Sequence, residues 1–202
     1  VITALARPGP FQSGGTTEYI KRHTGKAETE YLHPLTEEVT RVTNGVVVYQ
    51  EQVMEIGRHV GKLSWEDVSQ LRKAMSKSLG QEFFNKYFEK FKIGAEENDI
   101  GESEAKYIWD HINTMGSWAF NRSHAVSYGM LSYWCCVLKS KFPLEFAAAC
   151  LRNVKDDLQG VKLLREVVKE GMNYKPYDKF RSLENWSVQD DELIGGLIGI
   201  KG

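Results

Sequence analysis

The sequence predicts a mainly α-helical protein: a series of helices with a small β-hairpin appendix at the C-terminal end. Three observations lead to that fold class. Apolar residues recur at three- and four-residue spacing through most of the chain up to Lys169, which marks helix faces. Glycines, and one Asn44-Gly45 pair, fall between those runs, where a helix stop needs a residue that accepts a left-handed backbone. Past Gly171 the periodicity changes. There Asn185-Trp186-Ser187-Val188 and Glu192-Leu193-Ile194-Gly195 flank Gln189-Asp190-Asp191 as two strands flank a turn.

Length and charge bound the possibilities. With 202 residues the chain can hold one or two domains and bury a real core. Its 26 Lys+Arg and 27 Asp+Glu leave a formal charge of −1, so any phosphate-binding surface must be a local patch. Cys135, Cys136 and Cys150 lie in apolar helical runs without CxxC spacing. That pattern indicates neither a zinc site nor a disulfide framework; it suits small core residues in a reducing, cytoplasmic compartment. The most apolar run is broken by Ser132, Lys139 and Lys141, so no membrane span is expected. The chain begins at Val1 and ends at Lys201-Gly202 within an apolar, glycine-rich run, and reads as a segment of a longer protein.

Taken in order, Val1 to Ala6 closes an element that Arg7-Pro8-Gly9-Pro10 should stop as a rigid extended turn. Arg7 at its start is either a solvated turn residue or a ligand-facing cation. A short helix over about Thr16–His23 ends at Gly25, and another over Tyr31–Thr43 ends at Asn44-Gly45. Val46-Val47-Val48 is a buried extended segment. The helix that Tyr49-Gln50-Glu51-Gln52-Val53-Met54 begins has Tyr49, Val53, Ile56 and Val60 on one face. Glu51 has no visible partner for metal or acid–base work and reads as structural.

The next helix opens on a capping box, Ser64-Trp65-Glu66-Asp67, with Trp65, Val68, Leu71 and Met75 as its buried face. Arg72 borders that face, and Lys73 and Lys77 lie further round among the small residues Ser69 and Ser76. A solvated charged face usually intersperses acids at i,i+4. Acids are scarce here, which favours a phosphate contact. Gln81–Ile93 reads as one amphipathic helix with Phe84, Phe88 and Phe91 in the core. Glu102–Met115 follows, with Ala105, Ile108, Trp109, Ile112 and Met115 inward. Pro143 suits the first turn of a further helix, and Leu158–Lys169 is another, closed by Gly171.

The informative stretch is Gly116–Phe142. Gly116 to Ser123 mixes small residues with aromatics as a shaped loop, and a long apolar run after it reads as a buried helix with Ser123 as N-cap. Asn121, Arg122 and His124 then stand where free N–H groups and the positive helix end favour an anion. The competing reading is a capped core helix with a solvated arginine.

These residues resemble a known family. Arg7-Pro8-Gly9-Pro10, Tyr49-Gln50-Glu51-Gln52-Val53-Met54, Leu71-Arg72-Lys73-Ala74-Met75 and Phe120-Asn121-Arg122-Ser123-His124-Ala125 occur in the order and spacing of bacterial replicative DNA polymerase III alpha subunits, the C-family polymerases. Ile198-Gly199-Ile200-Lys201-Gly202 is similar to the approach to that family's helix-hairpin-helix module. The resemblance covers essentially the whole chain. It implies residues 1–30 as the end of the palm with the Arg-Pro-Gly-Pro loop, 31–171 as the helical fingers, and 172–202 as the β appendix.

The resemblance also implies roles. Arg72 and Lys73 match the basic pair on the triphosphate-binding helix, with Lys77 one turn on. Arg122 stands where the family usually has lysine, Asn121 and His124 match directly, and Arg7 matches the arginine near the active site. Tyr128 is a candidate for the pocket over the nascent base pair. The implied reaction is template-directed nucleotidyl transfer with two Mg²⁺ ions, whose palm aspartates lie earlier in the family's chain. The implied partners are the incoming dNTP, primer-template DNA and, in the parent enzyme, replisome subunits such as the sliding clamp. The chain departs from the family at Lys73, at Ser76-Lys77-Ser78, and at Ser117 and Ala119, where glycines are usual, so it reads as a divergent member. A non-catalytic helical module binding nucleic-acid backbone or a partner protein is the alternative.

Overall fold

The structure is a computed structural model that describes residues 1–77 and 81–200, leaving aside the side chains of Ser76 and Gln81. Ser78 and the closing Lys201-Gly202 of the motifs above lie outside the described residues. The chain divides into two compact units, residues 1–127 and 128–202.

The first unit is built mainly of helices. It opens with α1 (Ile2–Leu5), α2 (Pro8–Gln12) and α3 (Gly15–His23), and then α4 (Glu37–Thr40), which lies between two 3₁₀ turns. Next come α5 (Gln50–His59), α6 (Trp65–Lys77), α7 (Gln81–Asn85), α8 (Phe88–Glu96), α9 (Glu102–Gly116) and the first turns of α10 (Arg122–Lys141). Its larger core joins Val53 and Ile56 of α5, Val68 and Leu71 of α6, and Ile108 and Ile112 of α9. Trp109 fills the centre of that core, with the ring of Phe91 4.9 Å away and tilted against it. Where the chain leaves α5 it meets α8 backbone to backbone. A Cβ on Gly94 would lie 1.9 Å from the Gly61 carbonyl oxygen, so only glycine fits there.

In the second unit, α11 (Pro143–Arg152) and α12 (Asp157–Lys169) pack over a sheet of β1 (Tyr174–Lys175), β2 (Ser187–Gln189) and β3 (Glu192–Ile194). The order is β1-β3-β2, with β3 parallel to β1 and antiparallel to β2, Val188 facing Leu193. Asp190 and Asp191 turn the hairpin at φ 52° and 56°, a left-handed pair that Asp tolerates through its short polar side chain.

Several elements differ from the sequence expectation. Pro8-Gly9-Pro10 is the first turn of α2 rather than an extended turn, because prolines there replace N–H groups that have no intrahelical partner. Tyr31–His33 is not helical. His33 precedes Pro34 and stays extended at φ −160°, and helical turns begin only after it. Residues 81–93 form two helices, with the break at Lys86-Tyr87. Trp65 is 63% exposed instead of buried, since the Arg58 guanidinium lies 4.0 Å over its ring and supplies its partner from outside the core.

The largest difference is α10. Among its residues only Ala125 is buried, while Val126, Met130, Leu131, Tyr133, Trp134 and Leu138 are each half-exposed or more. Its apolar residues run all round the helix and form no single stripe that one neighbouring layer could cover. Cys135 and Cys136 are accordingly exposed, not core residues.

Candidate functional site

The expected residues that meet do so where Val46–Tyr49 runs beside Phe120. The Phe120 N–H donates to the Val48 carbonyl and the Gln50 N–H donates to the Phe120 carbonyl, both at 3.0 Å, a parallel bridge between Tyr49 and Phe120. Gln52 locks this turn from inside. Its Oε1 accepts from the Val48 and Tyr49 N–H groups at 2.8 and 3.0 Å, and its Nε2 donates to the Val39 carbonyl at 3.1 Å and to Thr43 Oγ1 at 2.7 Å. The second apolar cluster, of Ala4, Leu5, Val46, Val48, Tyr49 and Ala125, lies beneath.

Two arginines stand on the rings so fixed. The Arg7 guanidinium carbon lies 5.2 Å from the Phe120 ring centroid, and that of Arg122 lies 5.9 Å from the Tyr49 centroid, both within cation–π range. Arg7 also reaches the Trp118 carbonyl at 3.5 Å. Gly9 permits that approach, since a Cβ there would sit 2.8 Å from Trp118 Cβ. The His124 ring is 5.4 Å from the Phe120 ring. Burial pushes the Tyr49 phenol up from its ordinary pKa, and Arg122 pulls it the other way.

The start of α10 is not the open anion site that the sequence suggested. Asn121, not Ser123, is the cap: its Oδ1 accepts from the His124 N–H at 2.9 Å and from the Ser123 hydroxyl at 2.6 Å. The Arg122 N–H donates to the Glu51 carboxylate at 3.0 and 3.2 Å. Two first-turn amides are therefore taken by protein groups, and an incoming anion would meet side chains. Glu51, Tyr49 and Phe120 are the members of this cluster whose part the sequence did not reveal. Glu51 and Arg122 are 71 residues apart, and nothing local to Glu51 announces that partner.

Arg72, Lys73 and Lys77 are exposed on α6, Arg72 at the border of the face formed by its buried Val68, Leu71 and Met75. The expected capping box holds: the Asp67 N–H donates to Ser64 Oγ at 3.1 Å, and the hydroxyl donates to the Asp67 carboxylate at 2.7 Å. These three cations are not among the contacts of the Arg7–Arg122 cluster. Their helix packs on α5, and a Cβ on Gly116 would lie 3.3 Å from Met75 Sδ, which puts the end of α6 against the start of the 117–121 loop. No ion pair among the described residues engages Arg7, Arg72, Lys73, Lys77 or Arg122. Tyr128 belongs to the second unit and is 51% exposed.

A separate cavity of about 360 Å³ is lined by Glu18, Arg22, Tyr31, Tyr107 and His111 and contains none of the expected site residues. Burial lowers the His111 pKa, and the Arg22 charge lowers it further. Among the described residues no group of three or more His, Cys, Asp or Glu side chains could hold a metal ion. No helix among them is long and apolar enough to cross a membrane.

Residues 1–99 match the family model for the bacterial DNA polymerase III alpha subunit finger domain. Along its full length the chain is 36% identical over 202 residues to DNA polymerase III subunit alpha of Aquifex aeolicus. Over 99% of its length it is 35% identical to that of Mycobacterium tuberculosis, and over 100% it is 37% identical to that of Chlamydia muridarum. The chain spans 17%, 17% and 16% of these relatives, about a sixth of each.

Proposed function

The chain belongs to the bacterial DNA polymerase III alpha-subunit family and carries its finger domain, and from that premise we propose that it grips the triphosphate of the incoming dNTP during template-directed DNA synthesis. One observation carries this reading. Two guanidinium groups, Arg7 and Arg122, lie over neighbouring aromatic rings with no carboxylate paired to either among the described residues, so their charge is available to an anion. Arg72, Lys73 and Lys77 on α6 add exposed positive charge in the same unit, against a whole-chain balance of −1.

In the proposed reaction a primer 3′-oxygen attacks the α-phosphorus of the dNTP and pyrophosphate leaves. Charge grows on the β- and γ-phosphates as the bond breaks, and fixed cations stabilise it without reorganising. Arg122 and Arg7 would hold phosphate oxygens through their fork of donors, with α6 supplying further cations. His124 and Asn121 shape the start of α10 around that contact, and Tyr128 would serve the pocket over the nascent base pair. No carboxylate cluster among the described residues fits a Mg²⁺ site, and on this reading the two ions of the family's chemistry would be held by other parts of the parent enzyme. On the same reading residues 1–30 are the end of a palm, 31–171 the fingers and 172–202 an appendix, and primer-template DNA and the sliding clamp are partners of the parent. The 202-residue protein alone should extend no primer.

The test is Arg122→Ala in the full-length polymerase. The apparent KM for dNTP should rise and kcat fall, with a loss of about 2–4 kcal/mol in kcat/KM. Arg122→Lys should retain more activity, because it keeps the charge and is the residue usual in the family. Unchanged kcat/KM in Arg122→Ala, or primer extension by the 202-residue protein purified free of host polymerase, would count against the proposal.

A further inference from the structure

We infer that Glu51 is a positioning residue for nucleotide binding: its carboxylate seats the first turn of α10 and thereby fixes where Arg122 presents its guanidinium. This inference rests on the triphosphate reading of Arg122. The geometry behind it is specific. Both Glu51 carboxylate oxygens accept from one N–H, that of Arg122, at 3.0 and 3.2 Å. Glu51 lies in the first turn of α5, so its charge stands at the positive ends of two helices at once, its own and α10. The neighbouring Gln50 N–H holds the Phe120 carbonyl, and the Tyr49 ring lies under the Arg122 side chain. Three consecutive residues thus grip Arg122 and its approach by ring, backbone and carboxylate.

The carboxylate does not pair with the Arg122 guanidinium, so it locates the cation without neutralising it. That separates two roles Glu51 could play. A carboxylate acting only as a nearby negative charge would repel a triphosphate, and removing the charge would tighten nucleotide binding. A carboxylate that positions Arg122 has the opposite sign: removing it lets the start of α10 shift and weakens nucleotide binding.

The experiment is steady-state primer extension by the full-length polymerase carrying Glu51→Gln, Arg122→Ala or both. Assays are run at a temperature where circular dichroism shows each variant folded. Glu51→Gln should raise the apparent KM for dNTP about tenfold, the scale of a hydrogen bond to a charged group. It should leave kcat within about twofold and primer-template affinity unchanged. In the Arg122→Ala background the same change should add nothing to KM, because the side chain being positioned is gone. A lowered or unchanged KM in Glu51→Gln overturns the inference. So does a full additive loss in the double variant, or a Glu51→Gln protein that folds at no temperature, since each makes Glu51 part of the general framework. If Arg122→Ala itself leaves KM and kcat untouched, the triphosphate reading is what fails.

Discussion

With 1% of its surface exposed, Gln52 spends both ends of its amide on the turn that carries Tyr49. Leucine has its shape but none of its donors or acceptors. Gln52→Leu would leave the Val48 and Tyr49 N–H groups and the Val39 carbonyl without partners in a dry site. The expected cost is about 2–4 kcal/mol of stability, measured by urea denaturation of the 202-residue protein. His111 makes a different residue-scale prediction. Its folded pKa lies below the ordinary value of about 6.5, first through burial and then through Arg22. Between those two values the unfolded chain binds a proton that the folded chain does not. The stabilisation is therefore complete above about pH 6.5 and is lost as pH falls through the folded pKa, at most about 1.4 kcal/mol per pH unit. Melting temperatures from pH 8 to pH 5 should fall less steeply in His111→Gln than in the wild type; parallel curves would refute the assignment.

At the scale of elements, α10 gives the clearest consequence. Cys135 and Cys136 are exposed on it, while Cys150 on α11 is partly covered and its thiol is pushed up by burial. A thiol-reactive dye should modify two cysteines rapidly in the native protein and the third more slowly, because the slow one carries less thiolate and less access. Three equal rates would contradict this exposure pattern. The same helix marks where sequence reading stops. Boundaries written in local chemistry were legible: Asn44-Gly45, Gly171, Pro143 and the Ser64–Asp67 capping box all stand where their backbone preferences put them. Helix faces with a single apolar stripe, such as Val53-Ile56-Val60, were legible too. An apolar run without a stripe says that a helix forms but not what covers it, so α10 was expected in a core. Trp65 was misplaced because hydrophobic spacing cannot see the arginine above its ring. At the candidate site the basic residues and the Asn121–His124 motif stood out, whereas Glu51 became visible only when its distant partner came into place.

For the whole molecule, the balance of charge matters less than its placement, since a chain of formal charge −1 still leaves Arg7, Arg72, Lys73, Lys77 and Arg122 outside every ion pair among the described residues of its first unit. The sequence distances that build the site also have a kinetic side. Tyr49 and Phe120, Gln50 and Phe120, and Glu51 and Arg122 are each joined across about seventy residues, whereas the helices around them close through neighbours. Contacts with that much intervening chain carry a larger loop-closure entropy and form after local ones. The arginine platform should therefore assemble late in refolding and open early in native fluctuations. Hydrogen exchange offers the comparison: the Phe120 and Arg122 amides should be less protected than those of Val53 and Ile56, buried in the middle of α5. Equal protection would mean that the platform and the core come apart together. If the order holds, a newly made chain has its hydrophobic framework before its two arginines are seated on their rings, and the surface proposed to meet the triphosphate matures as the last step of its folding.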